Sequence, residues 1–195
     1  DSPYENNFNC QNLSHVVAEI LYITANALSS QQIYTFSNFY LNLSKYLNKN
    51  FYSFDTLLAE NFYKTKNFKK AKKIYNEIGK KGKIFLWYAA KQNANILLKE
   101  EKNEQALKIL AKAYDKLSEK SVYQKFDYAE FLKNNDQFED SIKFYTAIIQ
   151  KIKKDHLLYP KATDGRGVAY ERMGEWDKAE KDLLSSLKAS PDQAY

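Results

Sequence analysis

The stretch FKKAKKIY at residues 68–75 recurs in altered form along the chain, at residues 34–41 (YTFSNFYL), 103–110 (NEQALKIL), 138–145 (FEDSIKFY) and 176–183 (WDKAEKDL). Each copy has a small residue at its fourth position and apolar residues at helical spacing after it. Successive copies are 34, 35, 35 and 38 residues apart, counted between the small residues Ser37, Ala71, Ala106, Ser141 and Ala179. A period of this length indicates a unit of two helices repeated about five times.

Two further positions repeat with the same spacing. Twelve residues before each small residue lies a second small residue, which is Ala25, Ala59, Ala94, Ala129 or Gly167. Nine residues before Ser37, Ala71, Ala106, Ser141 and Ala179 lies a large residue, which is Leu28, Phe62, Leu97, Leu132 or Tyr170 respectively. Small residues let two paired helices approach closely, and the large residue fills the gap between neighbouring pairs. The pattern predicts ten helices, at about residues 16–29, 32–47, 52–65, 68–79, 84–100, 103–117, 121–134, 137–153, 158–173 and 176–189.

These motifs resemble those of tetratricopeptide-repeat (TPR) proteins over residues 16–195. The resemblance is closest in GRGVAYERMGEWDKAEKDLL at residues 165–184 and in the SPDQ that follows, which look like the last repeats of exported multi-repeat proteins of Gram-negative bacteria. The proline that ends the family's repeats occurs only once, as Pro191, and the first repeat is eroded. The resemblance implies an all-α, right-handed superhelical array of about five helix-turn-helix repeats, an α-solenoid, with repeats at about residues 18–51, 52–86, 87–121, 122–159 and 160–193.

The sequence predicts one continuous array of repeats without an internal domain boundary. Residues 1–15 are expected to be a lead-in, either disordered or left over from a preceding repeat. We expect the array to be cut from a longer chain, truncated at its C-terminal end. The three extra residues between the last two repeats are expected near Lys151 to Tyr159, as a helix extension or a loop.

Composition excludes several classes of protein. One cysteine gives no intrachain disulfide, two histidines leave little room for a metal site, and five glycines with three prolines are too few for a many-stranded β fold. No stretch of 18 or more apolar residues occurs, so no membrane span is expected. The compartment stays open between bacterial cytoplasm and periplasm, and the resemblance slightly favours the periplasm or envelope.

The sequence contains no catalytic constellation. His15 and His156 lie far apart without a partnering nucleophile and carboxylate, and Cys10 has no positive neighbour to activate it. Gly165 and Gly167 imitate a phosphate-binding loop, but they fall on a predicted helix, where close packing explains Gly167. We therefore predict no enzyme activity, no cofactor and no metal.

The first helix of each repeat is expected to line a concave groove that binds a peptide. Rings would bury the peptide's side chains, while amide and ammonium groups would bond to its backbone or carboxylate. The strongest candidate is a cationic-aromatic pocket on the third repeat. The candidate binding residues are Tyr22, Asn26, Tyr63, Tyr88, Lys91, Asn95, Tyr123, Phe126 and Lys161, accompanied by Glu19, Thr56, Glu60, Glu130, Asp164, Val168 and Glu171. The alternative is that these tyrosines are ordinary surface residues of a tyrosine-rich chain.

Chaperone-binding members of the TPR family hold a peptide's terminal carboxylate with a Lys/Asn pair, an Asn and a Lys/Arg pair on successive repeats. Lys91 and Asn95 match the first pair, and Lys161 matches the later lysine. Asp127 stands at the middle Asn position and would repel a carboxylate. Gly165 stands at the Arg position, with Arg166 one residue away from it. A complete carboxylate clamp is therefore not expected.

The positive charge is concentrated in one run. Residues 64–83 contain nine lysines and one glutamate, so this run has a net charge of +8. The net charge of the whole chain is +6, so the remaining residues together carry −2. The lysines expected to form an exposed basic patch are Lys69, Lys70, Lys73, Lys80 and Lys81. A solvated face is one interpretation, and a contact with an anionic membrane or nucleic acid is the other. The run has no stacking aromatics interleaved with arginine, which argues against RNA.

The sequence therefore predicts a non-catalytic protein–protein interaction scaffold that binds a peptide or protein segment in its groove. One alternative is an accessory TPR region of a larger enzyme, such as a glycosyltransferase. Another is a binder of anionic surfaces through the basic patch. The expected partner is a protein or peptide rather than a nucleic acid, with a weak membrane-surface contact as a further prediction.

Overall fold

The computed structural model describes residues 8–190, except for the side chain of residue 84. Within these residues the chain is all-α, with ten helices joined by short turns. The helices are α1 (Leu13–Ser30), α2 (Tyr34–Leu47), α3 (Ser53–Lys64), α4 (Phe68–Gly79), α5 (Lys83–Lys99), α6 (Asn103–Asp115), α7 (Val122–Lys133), α8 (Phe138–Lys151), α9 (Leu158–Arg172) and α10 (Trp176–Ala189). Consecutive helices form antiparallel pairs, from α1 with α2 to α9 with α10. The predicted fold class, ten helices in two-helix repeats, is confirmed.

The same turn closes every helix pair. Its central residue has a positive φ, between 58° and 76°, and is Gln32, Lys66, Glu101, Asp136 or Gly174. The next residue then donates its N–H back to the carbonyl of the repeating large residue, as Asn67 does to Phe62 at 2.8 Å. This bond satisfies a carbonyl that the end of the first helix leaves without a partner. The large residue of the sequence pattern therefore marks both a packing position and the turn.

The first helix begins earlier than expected, at Leu13 rather than residue 16. Asn12 caps it, because its side-chain oxygen accepts the N–H of Ser14 at 3.0 Å. Nδ1 of His15 accepts a hydrogen bond from the N–H of Asn9 at 3.1 Å, which ties the segment before α1 to the first turn of that helix. Of the predicted lead-in, residues 1–7 lie outside the described part of the chain, as does the turn at Pro191.

The insertion between the last two repeats is a loop. Helix α8 ends at Lys151 and α9 begins at Leu158. Within this loop His156 accepts the N–H of Leu158 at 3.1 Å through Nδ1. Each histidine thus has a structural bond to a backbone N–H close to the start of a helix.

The chain divides into two compact units at Ala113 and Tyr114, near the end of α6. In unit 1, which ends at Ala113, the repeating small residues Ala25, Ala59 and Ala71 are fully buried. Two apolar clusters surround them. The first centres on Leu41, Phe54, Leu57 and Leu58, and the second on Tyr75, Ile78, Ala89 and Ile96.

Unit 2, which begins at Tyr114, has its own core around Ala129, Tyr145, Ile148 and Ala162. Both glycines of α9 face close neighbours there. A Cβ on Gly165 would lie 2.6 Å from Cζ of Tyr145, and one on Gly167 would lie 2.9 Å from Cγ of Leu183. Close helix packing therefore accounts for both glycines, as the sequence indicated for Gly167.

Candidate functional site

In unit 1, the predicted groove residues lie on three first helices, α1, α3 and α5. Helix α1 packs against α3, and a side-chain hydrogen bond joins α3 to α5. The site therefore consists of side chains from three successive repeats on one side of unit 1. Its central element is the carboxylate of Glu60 on α3.

Glu60 connects the second and third repeats. Its Oε1 accepts a hydrogen bond from the hydroxyl of Tyr88 on α5, with 3.3 Å between the oxygens. The ring of Tyr88 packs edge-on against Tyr75, with 5.9 Å between ring centroids. Burial and the nearby carboxylate of Glu60 together raise the pKa of Tyr88 well above its ordinary value. Tyr88 is therefore held in place as a neutral donor that positions Glu60.

Tyr22 on α1 lies near enough to this carboxylate for its charge to act on the pKa of the tyrosine hydroxyl. Its ring is half-buried and packs against Phe54 at 5.3 Å and Phe51 at 6.2 Å between centroids. Burial raises the pKa of its hydroxyl, and the carboxylates of Glu19 and Glu60 raise it further. Tyr22 thus contributes both to the core and to the edge of the site.

A cleft of about 350 Å³ opens beside Glu60. Asn26 of α1 and Lys64 of α3 line it together with Glu60, so residues with an amide, an ammonium and a carboxylate group border the same cleft. The remaining lining residues are Ser29, Ser30, Gln32, Tyr34, Leu57 and Asn61. These groups offer both donors and acceptors, which an extended peptide backbone requires.

A buried polar network fixes the floor of this cleft. The side chain of Asn61 is fully buried. Its Nδ2 donates to Oγ of Ser37 at 2.8 Å and to Oδ1 of Asn38 at 2.9 Å, and its Oδ1 accepts the hydroxyl of Ser29 at 2.6 Å. Nδ2 and Oδ1 of Asn61 both have partners, so the network joins α1, α2 and α3 without leaving an unpaired buried group on Asn61.

The other predicted residues of unit 1 differ in exposure. Tyr63 is half-buried against Phe68, with 5.8 Å between ring centroids. Lys91 is half-buried one turn along from Tyr88, and Asn95 is exposed one turn further. The predicted cationic-aromatic pocket is thus one helix face of α5, with its tyrosine hydroxyl already bonded to Glu60.

The remaining predicted residues belong to unit 2. Tyr123 on α7 is 56% exposed and lies 6.1 Å from the ring of His156. Phe126 is half-buried and packs edge-on against Tyr145, so it serves the core as well as the surface. Lys161 on α9 is exposed.

A second carboxylate–tyrosine pair lies in unit 2. Glu130 on α7 stands at the repeat position of Glu60 and accepts a hydrogen bond from the hydroxyl of Tyr145 on α8. Lys133 donates to both oxygens of the same carboxylate, at 2.9 and 3.1 Å. Burial and Glu130 raise the pKa of Tyr145 far above its ordinary value.

Arg166 does not serve as the arginine of a carboxylate clamp. Its Nε and Nη2 bond to both oxygens of Asp182 on α10, at 2.6 and 2.8 Å, and its Nη1 donates to Thr146 at 3.0 Å. The side chain of Asp182 is almost completely buried, which makes this bidentate pair a structural link between α8, α9 and α10.

The lysines of the predicted basic patch are exposed, but their environments differ. Lys70 lies over the ring of Phe62 and Lys81 over that of Tyr52, each about 5.0 Å from the ring centroid. Lys80 pairs with Glu77 at 2.7 Å. Lys69 and Lys73 form no ion pair with any residue that the structure describes. A further lysine of the run, Lys72, is turned away to bond Glu100 at 2.7 Å and thereby lowers the pKa of that carboxyl.

The described part of the chain contains no group of three or more His, Cys, Asp or Glu residues placed to hold a metal. Cys10 is exposed, and its thiol is free. Over residues 8–190, no helix has both the length and the apolar character needed to cross a membrane.

Comparisons with solved structures show the fold. YrrB, described as a TPR protein with an unusual peptide-binding site, superposes with a TM-score of 0.56 at 18% identity over 89% of this chain and 86% of its own. A putative kinesin light chain with TPR-like repeats from Podospora anserina gives a TM-score of 0.65 at 9% identity, covering 90% and 97%. The C-terminal part of a TPR repeat-containing protein from Cytophaga hutchinsonii gives 0.60 at 18% identity, covering 87% and 65%.

This chain has the TPR fold. No protein-family model and no curated protein matches its sequence. The likeness at these identities concerns the fold and leaves the partner to be inferred from the surface itself.

Sequence reasoning missed part of the cleft, namely Lys64, Ser29 and the buried Asn61. A signal for Asn61 was present, because the corresponding positions of the other repeats hold Ala27, Ile96, Phe131 and Ala169. A polar residue at a position that is otherwise apolar or small indicates a buried hydrogen-bond network. No comparable signal marks Lys64, which belongs to the lysine-rich run.

Proposed function

We propose that the chain is a non-catalytic interaction scaffold that binds an extended protein segment along the face of unit 1. The observation that carries this proposal is the continuity of Asn26, Glu60 and Tyr88 across α1, α3 and α5. Asn26 and Glu60 share the 350 Å³ cleft, and Tyr88 bonds to Glu60. A preformed face of this kind loses little conformational entropy on binding, because only the partner has to become ordered.

The chemistry of the face indicates the kind of segment it would hold. The carboxylate of Glu60 can accept from backbone N–H groups or from a basic side chain, and the amide of Asn26 can both donate and accept. The half-buried rings of Tyr22 and Tyr88 offer apolar surface beside these polar groups. We therefore propose an extended segment with a Lys or Arg opposite Glu60 and an apolar side chain beside it.

The fold supports this proposal, because TPR arrays are typically scaffolds for protein and peptide partners. YrrB is named for a peptide-binding site, which is the use proposed for this chain. Three further predictions rest on the sequence alone. They are an accessory role in a larger enzyme such as a glycosyltransferase, membership of the multi-repeat proteins of Gram-negative bacteria, and a location in the envelope.

Selection of peptides from a random display library against the purified chain tests the proposal. A selected peptide is then titrated by fluorescence anisotropy against the chain and two variants, Asn26→Ala and Glu60→Gln. We expect Glu60→Gln to weaken binding by about tenfold or more, because a hydrogen bond to a charged group contributes about 1.5–3 kcal/mol. Asn26→Ala should weaken it about two- to tenfold, because a hydrogen bond between neutral groups contributes about 0.5–1.5 kcal/mol.

The matched control is Glu104→Gln, which changes the same charge at an exposed position in the first turn of α6. It should leave the affinity unchanged. A selected peptide that binds the Glu60→Gln and Asn26→Ala variants as tightly as the original chain would show that the groove of unit 1 is not the binding face.

A further inference from the structure

The outward face of α2 carries a stripe of exposed apolar side chains. Phe36 and Phe39 are each 62% exposed, Leu43 is 39% exposed and Tyr46 is 75% exposed. Their spacing of three, four and three residues places all four on one side of the helix. We call these four residues the aromatic stripe.

Among the five second helices, α2 alone carries an aromatic stripe. The second helices of the other four repeats carry no large apolar residue at any of these positions. They carry instead Lys70, Lys73, Glu77 and Lys80 on α4; Gln105, Lys108, Lys112 and Asp115 on α6; Asp140, Lys143, Ala147 and Gln150 on α8; and Lys178, Lys181, Ser185 and Lys188 on α10. Stacking of repeats therefore does not require apolar residues at these positions.

In unit 1 the aromatic stripe and the basic patch point to the same side. Helices α2 and α4 are second helices of successive repeats, and both pack against α3. They bury the same repeat positions, such as Leu41 on α2 and Tyr75 on α4. Because the buried positions correspond, the opposite positions also correspond, so Phe39 and Lys73 face outward in the same way.

The charges of this surface are positive on α4 and nearly absent from α2. Lys45 is the one charged residue of α2, and it pairs with Asp55 at 2.5 Å. On α4, the ammonium groups of Lys69 and Lys73 form no ion pair with a described residue and lie exposed. The surface thus combines a neutral aromatic strip on α2 with a lysine-rich strip on α4, in which Glu77 is the one carboxylate and pairs with Lys80.

We propose that this surface binds an anionic lipid membrane. The side chains of the aromatic stripe would enter the boundary between headgroups and acyl chains, as the apolar face of an interfacial helix does. Lysines of α4 would lie at the level of the lipid phosphates, where each contributes about 1 kcal/mol near a negatively charged surface. This surface does not include the groove of unit 1, so the proposal stands independently of peptide binding.

Lipid explains the surface better than nucleic acid does. Binding of single strands relies on base stacking combined with arginine contacts, and the basic run from Lys64 to Lys83 contains no arginine. Leu43 in the middle of the stripe has no ring to stack on a base. A lipid boundary accommodates Leu, Phe and Tyr equally well.

Vesicle flotation with the full chain tests the proposal. The probes are vesicles of phosphatidylcholine alone and vesicles that also contain phosphatidylserine. We expect the chain to float with the phosphatidylserine vesicles and to float only weakly with phosphatidylcholine alone, where apolar insertion acts without attraction of charge. Raising the salt concentration should weaken binding without abolishing it, because salt screens the lysines but leaves apolar insertion intact.

Two double variants separate the two contributions. Phe39→Lys with Tyr46→Lys introduces the residues that α4 carries at the same positions, so the helix should fold while insertion is lost. We expect this double variant to bind phosphatidylserine vesicles more weakly than the original chain, although its positive charge is higher.

Lys69→Gln with Lys73→Gln should lower the vesicle affinity about 30-fold, the equivalent of two surface lysines. The matched control, Lys108→Gln with Lys181→Gln, removes two lysines at the position of Lys73 in other repeats and should leave binding nearly unchanged.

Three results would overturn the proposal. The first is the absence of binding to phosphatidylserine vesicles at low salt. The second is stronger binding by the variant that carries Phe39→Lys and Tyr46→Lys, since purely electrostatic attraction would then explain the data. The third is tighter binding of a single-stranded RNA than of the vesicles, with the same loss in the Lys69→Gln and Lys73→Gln variant.

Discussion

The hydroxyl of Tyr88 donates a hydrogen bond to Glu60 and thereby joins the first helices of two successive repeats, with 3.3 Å between the oxygens. The same carboxylate lines the cleft that Asn26 shares. One bond therefore both supports the stack of repeats and orients the charged group on the proposed binding face.

The pKa of Tyr88 should depend on Glu60. Burial keeps this pKa above its ordinary value, and the negative charge of Glu60 raises it further. We expect Glu60→Gln to lower the pKa of Tyr88 without returning it to the ordinary value of tyrosine, since burial remains. NMR titration of tyrosine ring carbons measures this pKa, and Glu104→Gln serves as the control. An unchanged pKa in Glu60→Gln would show that the two groups do not interact.

Loss of Asn61 should destabilise unit 1. Asn61→Ala removes three side-chain hydrogen bonds, so Ser29 loses the acceptor of its hydroxyl and Asn38 loses the donor to its Oδ1, while Ser37 keeps its bond to the carbonyl of Ala25. We expect the free energy of unfolding to fall by about 2 kcal/mol. Urea denaturation measures it, with Asn95→Ala at an exposed position as the control. A loss no larger than that of the control, about 0.5 kcal/mol or less, would contradict the role of the network.

The repeated turn offers a stabilising substitution. Lys66 has a φ of 58°, in the left-handed region that glycine adopts without a steric penalty. Lys66→Gly should raise the free energy of unfolding by about 0.5–1 kcal/mol, and Gly174→Ala at the same position of the last repeat should lower it by a similar amount. Thermal unfolding of both variants tests this. The same sign of change for both substitutions would rule out the explanation from backbone conformation.

Stability should decline in alkaline solution. Burial, with Tyr128 and Asp115 nearby, raises the pKa of Tyr114 from 10.0 to about 12. The folded state thus favours the protonated phenol, and the stability that this contributes is complete below pH 10 and lost as the pH rises through about 12. We expect the free energy of unfolding to fall over this interval, and to fall less in Tyr114→Phe. Denaturant titrations between pH 9 and pH 12 measure the difference, and identical slopes for the two proteins would refute the prediction.

The fold was predictable because the chain repeats its own packing rules. Small residues such as Ala59 and Ala71 can be identified in every repeat, and both are fully buried in the structure. Predicted and observed helix boundaries agree within three residues. The largest difference, at Leu13, has a local cause: the repeat pattern contains no information about a cap formed by Asn12 outside it.

The candidate site was less predictable. Register assigned Tyr88 and Glu60 to one face, but it could not show that they bond to each other, because that depends on how far α3 and α5 are apart. It also assigned Arg166 no partner, although the structure pairs it with Asp182 through two bonds. The aromatic stripe on α2 could have been found by aligning the second helices, since Phe39 stands where lysine stands in every other repeat.

NMR chemical-shift mapping shows whether a peptide binds the face of unit 1 formed by α1, α3 and α5. The isotope-labelled chain is titrated with a peptide selected against it, and the backbone shifts are assigned to helices. We expect the largest shifts to cluster around Asn26, Glu60 and Tyr88. Shifts confined to α2 and α4, or spread evenly over the chain, would contradict it.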